Sequence, residues 1–156
     1  MTDEKTGDTF WQGGPGERIG FAPQAVALGL EFVSSEPSVG VMKAPWREDL
    51  VGDPETGVIA GGVVTSLLDH VCGLAVQMSG DGAPTPTATL DLRIDYMRPA
   101  HPRRDVYARA HCYKRTRSIA FLRATAYEDD PDDPVATAQA AFAITSMPGT
   151  VGGGGG

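Results

Sequence analysis

Residues 59–76 read IAGGVVTSLLDHVCGLAV, and this stretch constrains the chain more than any other. At about 100° per residue, Val64, Leu67, Leu68, Val71, Ala75 and Met78 line one apolar stripe of a helix. The opposite face carries Gly62, Thr65, Ser66, Asp69 and Gly73, all small or polar. The apolar run from Val58 to Met78 approaches membrane-spanning length, yet Asp69 sits at its centre. A central Asp costs roughly 2.5 to 3.5 kcal/mol on insertion scales. The pattern therefore predicts a buried helix of a soluble domain and no membrane span. An Asp is almost never fully buried without a partner. Asp69 then either pairs with hydroxyl or backbone groups or has a chemical role.

Strand signals surround this helix. FAPQAVALGL (21–30) reads as a short helix, EFVSSEPSVGVMKAPW (31–46) as two short strands, and REDLVGDPETG as a loop. After the break SGDGAPTP, the segment TATLDLRIDYM alternates strictly, with Leu90, Leu92, Ile94 and Tyr96 on one side and Thr89, Asp91, Arg93 and Asp95 on the other. VYARAHCYK alternates Val106, Ala108, Ala110 and Cys112 against Tyr107, Arg109, His111 and Tyr113. RSIAFLRATAY and VATAQAAFAI add two more strands, separated by the acidic turn EDDPDDP, which reads as a solvated hairpin tip without the spacing of a calcium loop. On this pattern Tyr96, Phe121 and Phe142 belong to the core. Two strands, one long apolar helix and an antiparallel meander define an α+β domain whose sheet curls around the helix. The domain is expected over residues 21–147, between flexible tails at 1–20 and 148–156, the latter ending in GGGGG.

Charge narrows the functional classes. The net charge of −7 argues against a nucleic-acid binder. From Arg93 to Arg123, however, nine basic residues face only Asp95 and Asp105, so this segment is +7 and the remainder −14. Such a segment is either a strand surface paired with acids elsewhere or a basic rim for a small polyanion. The N-terminal residues MTDEKTGDTFWQGGPGE are acidic and polar, unlike a secretory signal. Cys72 and Cys112 lack metal-like spacing and point to reduced thiols in a cytoplasm. Together with His70 and His111 they form no zinc pattern, so no metal is expected.

The helix start adds a second element of chemistry. Gly61 and Gly62 leave the first backbone N–H groups unshielded, at the partly positive end of the helix dipole, where an oxyanion could be held. Eight residues separate Gly61 from Asp69, about 12 Å along a helix. One reacting carbon cannot touch both on the same chain. If both act, acid and oxyanion donor come from different subunits, which predicts a dimer with composite sites.

These residues resemble the hot-dog-fold acyl-CoA thioesterases of the phenylacetate-pathway type. The resemblance rests on Gly57-Val-Ile-Ala60-Gly61-Gly62 followed by Asp69 nine residues after Ala60, on TATLDLRIDYMRPA with its Tyr-x-x-Pro ending, and on YKRTRSIAFLRATAY, and it runs from about Leu30 to Ile144. It implies hydrolysis of an acyl-CoA thioester, with coenzyme A entering only as part of the substrate and no separate cofactor. By position, Asp69 would be the catalytic carboxylate, activating water or attacking the thioester itself. Gly61 of the neighbouring subunit would polarise the thioester carbonyl through its N–H. Thr89 falls where relatives place a Ser that positions the water. Arg115 and Arg117, with Lys114 and Arg98, would meet the CoA phosphates. A homodimer, alone or joined with a second into a tetramer, is implied. Three positions depart from the pattern: Ala60 replaces its His, Pro54 its Asn and Thr116 its Gly.

Two other functions fit part of this pattern. One is a non-catalytic acyl-CoA or acyl-group binding protein of the same fold, which Ala60 and Pro54 would suit. The other is a hydratase, for which His70 is misplaced: adjacent helical residues point about 100° apart, so Asp69 and His70 are no dyad. Cys72 has no base at suitable spacing to make it a nucleophile.

Overall fold

The computed structural model describes residues 22–145. The expected tails at 1–20 and 148–156 lie outside them. Helix α1 (Pro23–Leu28) begins with Pro at its first turn and ends at Gly29, whose φ of 68° supplies the left-handed cap. Strands β1 (Glu31–Glu36) and β2 (Val39–Ala44) form a hairpin. The stretch expected as a loop contains a 3-10 turn (Glu48–Leu50) and a small hairpin of β3 (Val51–Asp53) and β4 (Val58–Ile59). Helix α2 spans Gly61–Met78, followed by β5 (Thr87–Tyr96), β6 (Val106–Arg115), β7 (Ile119–Tyr127) and β8 (Ala136–Ile144).

The six long strands form one antiparallel sheet in the order β1-β2-β6-β7-β8-β5. Every strand of it touches α2. This is the α+β hot-dog architecture that the resemblance implies. The inner face carries small side chains where the helix crosses it: Ala108 and Ala110 on β6, Ala120, Ala124 and Ala126 on β7, and Ala136, Ala138 and Ala140 on β8 are all buried. Alanines keep the sheet surface low, so the larger side chains of Leu67, Leu68, Val71 and Leu74 fill the space from the helix side. At β2 even a methyl is excluded, because a Cβ on Gly40 would lie 2.6 Å from Leu74 Cγ.

Strand β5 departs from its sequence pattern. A bulge between Thr89 and Asp91 leaves Leu90 without a partner: Thr89 pairs with Phe142 and Asp91 with Ala141. The extra residue inverts the alternation across it. Leu92 and Ile94 face the helix as expected and pack on the core. Thr89 shares their side of the sheet, because it lies opposite buried Phe142, while Leu90 is 59% exposed. The strict alternation from Thr89 to Tyr96 is thus corrected. β5 is also an edge strand, so one row of its backbone N–H and C=O groups has no neighbour within the sheet.

Candidate active site

The start of α2 is set by the small hairpin before it. Gly57, at φ 69°, turns the chain between β3 and β4. Its carbonyl accepts hydrogen bonds from Trp46 Nε1 (2.8 Å) and the Arg103 N–H (3.0 Å). The Ala60 N–H then bonds to Leu50 O at 2.8 Å, which fixes the residue ahead of the helix. Ala60 is the N-cap, with φ −64° and ψ 141° and no side-chain cap. Among the described residues nothing accepts the N–H groups of Gly61 and Gly62. Both glycines are exposed, and no atom stands within 4 Å of a Cβ built on Gly62.

Two turns further along, Asp69 is half-buried on the small-residue face. Thr89 Oγ1 donates to Asp69 Oδ1 at 2.8 Å. The β5 bulge makes this contact, by turning Thr89 toward α2. One carboxylate oxygen is thereby held, and the other accepts no hydrogen bond among the described residues. Around it, Thr65 Oγ1 and Ser66 Oγ return hydrogen bonds to Gly61 O and Gly62 O at 3.1 and 3.0 Å.

Tyr96, expected in the core, is 50% exposed at the end of β5. Its hydroxyl donates to Gly61 O at 2.8 Å and also meets Thr65 Oγ1. Sequence reasoning misses this residue as part of the site; the Tyr-x-x-Pro ending is the only signal. Phe142, by contrast, is buried as expected.

The neighbours of Asp69 in sequence take no part. Burial pushes the His70 imidazole below its ordinary pKa, against the raising effect of the Asp69 charge, and its Nε2 meets Gln24 Oε1 at 3.1 Å. Cys72 and Cys112 are free and buried. Burial pushes the Cys72 thiol up to about 12, with the Asp69 charge acting in the same direction, so the thiolate a nucleophile needs is disfavoured. Among the described residues no group of three His, Cys, Asp or Glu side chains could hold a metal ion, and no helix is long and apolar enough to cross a membrane.

The four basic residues expected at the CoA phosphates divide into two pairs. Arg115 Nη1 donates to Val76 O (3.0 Å) and Ser79 Oγ (2.9 Å), capping the negative end of α2. Arg98 pairs with Glu128 and Asp133 and also donates to Pro99 O and Asp133 O. Both guanidinium groups have structural partners among the described residues. Lys114 and Arg117 are exposed and form no ion pair among the described residues. A cleft of about 380 Å³ between Trp46, Pro54, Gly57 and Arg103 does not include Asp69.

A sheet wrapped on one central helix, with a hydroxyl-held carboxylate on that helix and a bare diglycine at its start, defines a hot-dog protein with a candidate active site. Residues 56–135 match the sequence model of the thioesterase superfamily, and the chain belongs to that family. A Pseudomonas aeruginosa protein of solved structure is 37% identical, with 84% of this chain and 97% of that one covered at a TM-score of 0.75. The phenylacetic acid degradation protein PaaI of Thermus thermophilus, solved as a point mutant, is 27% identical over 80% of this chain and 100% of that one, at a TM-score of 0.68. Human acyl-coenzyme A thioesterase 13 is 32% identical over 92 residues, which are 59% of this chain. The match spans 63% of the length of that relative.

Proposed function

We propose that this protein hydrolyses an acyl-CoA thioester to the free acid and CoA, at two composite sites of a homodimer. The observation that carries the reading is the Thr89–Asp69 hydrogen bond of 2.8 Å, which orients a carboxylate on the small-residue face of α2. Membership of the thioesterase superfamily and the likeness to acyl-coenzyme A thioesterase 13 support the substrate class.

The chemistry follows from the geometry. Asp69 takes a proton from water as the water oxygen attacks the thioester carbonyl carbon, or attacks that carbon directly; both routes need the carboxylate in the same place. The carbonyl oxygen becomes an oxyanion and accepts the Gly61 N–H of the partner subunit. Collapse of the tetrahedral intermediate expels the CoA thiolate, which is then protonated. On the direct route this leaves an acyl–Asp69 anhydride, which water hydrolyses to the free acid and the regenerated carboxylate. Thr89 holds Oδ1 so that Oδ2 faces the substrate. The partner fits along β5, whose unpaired edge and exposed Leu90 and Met97 suit a second copy. Exposed Lys114 and Arg117 suit the CoA phosphates.

Thiol release from short, medium, long and aromatic acyl-CoAs tests this, with wild type set against Asp69→Asn. Turnover should fall by about 10² or more in the variant, with the dimer retained. If acyl-CoA binds both proteins equally and neither releases thiol, the protein is a binding protein and the proposal fails.

A further inference from the structure

A helix that opens with two glycines and no capping side chain has a poorly anchored first turn, since each Gly is disfavoured against Ala in a helix. Here the missing restraint comes from the neighbouring strand. The Tyr96 ring lies against Gly61, with ring and hydroxyl atoms 3.7–3.8 Å from where a Gly61 Cβ would stand. Its hydroxyl donates to Gly61 O at 2.8 Å, and Thr65 Oγ1, itself 3.1 Å from Gly61 O, completes a three-membered cluster. The bonded carbonyl belongs to the peptide plane that carries the Gly62 N–H. Fixing that plane fixes ψ of Gly61 and φ of Gly62 together. A hydrogen bond to a peptide oxygen also polarises the N–H at the other end of the same plane.

We propose that Tyr96 is a positioning residue: its hydroxyl holds the Gly61–Gly62 peptide by its carbonyl and so anchors Gly61 itself, keeping that residue's own N–H, in the preceding peptide, aimed at the reacting carbonyl oxygen. The inference rests on the thioester-hydrolase reading above. Tyr96 touches no reacting atom; it acts through the helix start. Because the oxyanion exists only beyond the ground state, loosening its donors lowers kcat more than it alters KM.

The test compares Tyr96→Phe, Thr65→Val and Thr65→Ser in the full-length dimer, with thiol release from the acyl-CoA that wild type turns over fastest. Tyr96→Phe keeps the ring and removes the hydroxyl. We expect kcat to fall by about 10-fold, within the range that small misplacement of catalytic groups produces, with KM close to that of wild type and the unfolding temperature little changed. Faster hydrogen exchange at the Val63 and Val64 amides, which donate to Ala60 O in the first turn, should accompany it. If Tyr96→Phe does not fold, the Thr65 pair reads the same cluster: Thr65→Val should lower kcat more than Thr65→Ser. An unchanged kcat in Tyr96→Phe, with wild type active and Asp69→Asn inactive, overturns this inference alone. A wild type inactive on every acyl-CoA overturns the hydrolase reading and this inference with it.

Discussion

Replacing Gly61 by Pro isolates one backbone N–H. Gly61 is the first residue of α2, the helical position where Pro is best tolerated, because the N–H it removes has no intrahelical acceptor. Pro requires an extended residue before it, and Ala60 already holds φ −64° and ψ 141°. A Cβ at position 61 would meet the Tyr96 ring at 3.7 Å, an ordinary contact. The fold should therefore keep its stability or gain about 0.4 to 1 kcal/mol from a stiffer unfolded chain. Catalysis should not survive so well: losing one oxyanion donor costs about 10² to 10³ in kcat. The strongest readout is a mixing experiment. In a heterodimer of Gly61→Pro with Asp69→Asn, one composite site carries both lesions and the other carries none. Unfolding and refolding the two inactive variants together at equal amounts should restore about one quarter of wild-type thiol release, the random yield for a symmetric dimer. No recovery on mixing, with heterodimers present, would refute the assignment of acid and donor to different subunits. A Gly61→Pro enzyme with normal kcat would refute the N–H as donor.

Three further outcomes are expected. Gly40→Ala forces a methyl to within 2.6 Å of Leu74 Cγ, a fully buried side chain, and should destabilise by about 1 to 3 kcal/mol in chemical denaturation. Glu128, the one buried charged residue among those described, is pushed up by burial but held below the ordinary carboxylate range by its His101 side-chain and backbone hydrogen bonds and by Arg98. Its contribution is therefore present above the usual carboxylate pKa and is lost as pH falls through the lower folded value. Glu128→Gln should cost about 1.5 to 3 kcal/mol at pH 7 and flatten the acid limb of a stability–pH curve; an unchanged limb counts against this role. Finally, Cys72 should resist a thiol reagent at pH 8 in the folded protein and react at the rate of a free thiol once unfolded.

Much of this architecture is legible from residue order. The stripe from Val64 to Ala75 and the alternation of Val106, Ala108, Ala110 and Cys112 are both as expected, because each reflects one uninterrupted period. β3 and β4 read as a loop because strands of three and two residues are too short to show a period. β5 misleads for the opposite reason: its residues alternate without a break, whereas its backbone pairing does not. Thr89 can be assigned beside Asp69 only through the family pattern; alternation alone turns it away. Tyr96 resembles a core residue because its aromatic ring carries the pattern, while its hydroxyl carries the contact. Charge counting likewise marks Arg98 and Arg115 without revealing that Glu128 and the end of α2 engage them.

The bulge in β5 gives chain length an unusual meaning at this place. In a regular strand, removing one residue reverses the facing of everything on one side of the cut. Here Leu90 is the surplus residue, and its deletion would leave Thr89 joined to Asp91 in an unbroken ladder, still opposite Phe142 and still facing α2. An insertion at the same point would add a second surplus residue and, in a regular ladder, slide Thr89 about 7 Å along the strand, out of reach of the carboxylate. Natural variation in this strand is therefore expected to be lopsided, tolerant of a shortened form and intolerant of a lengthened one.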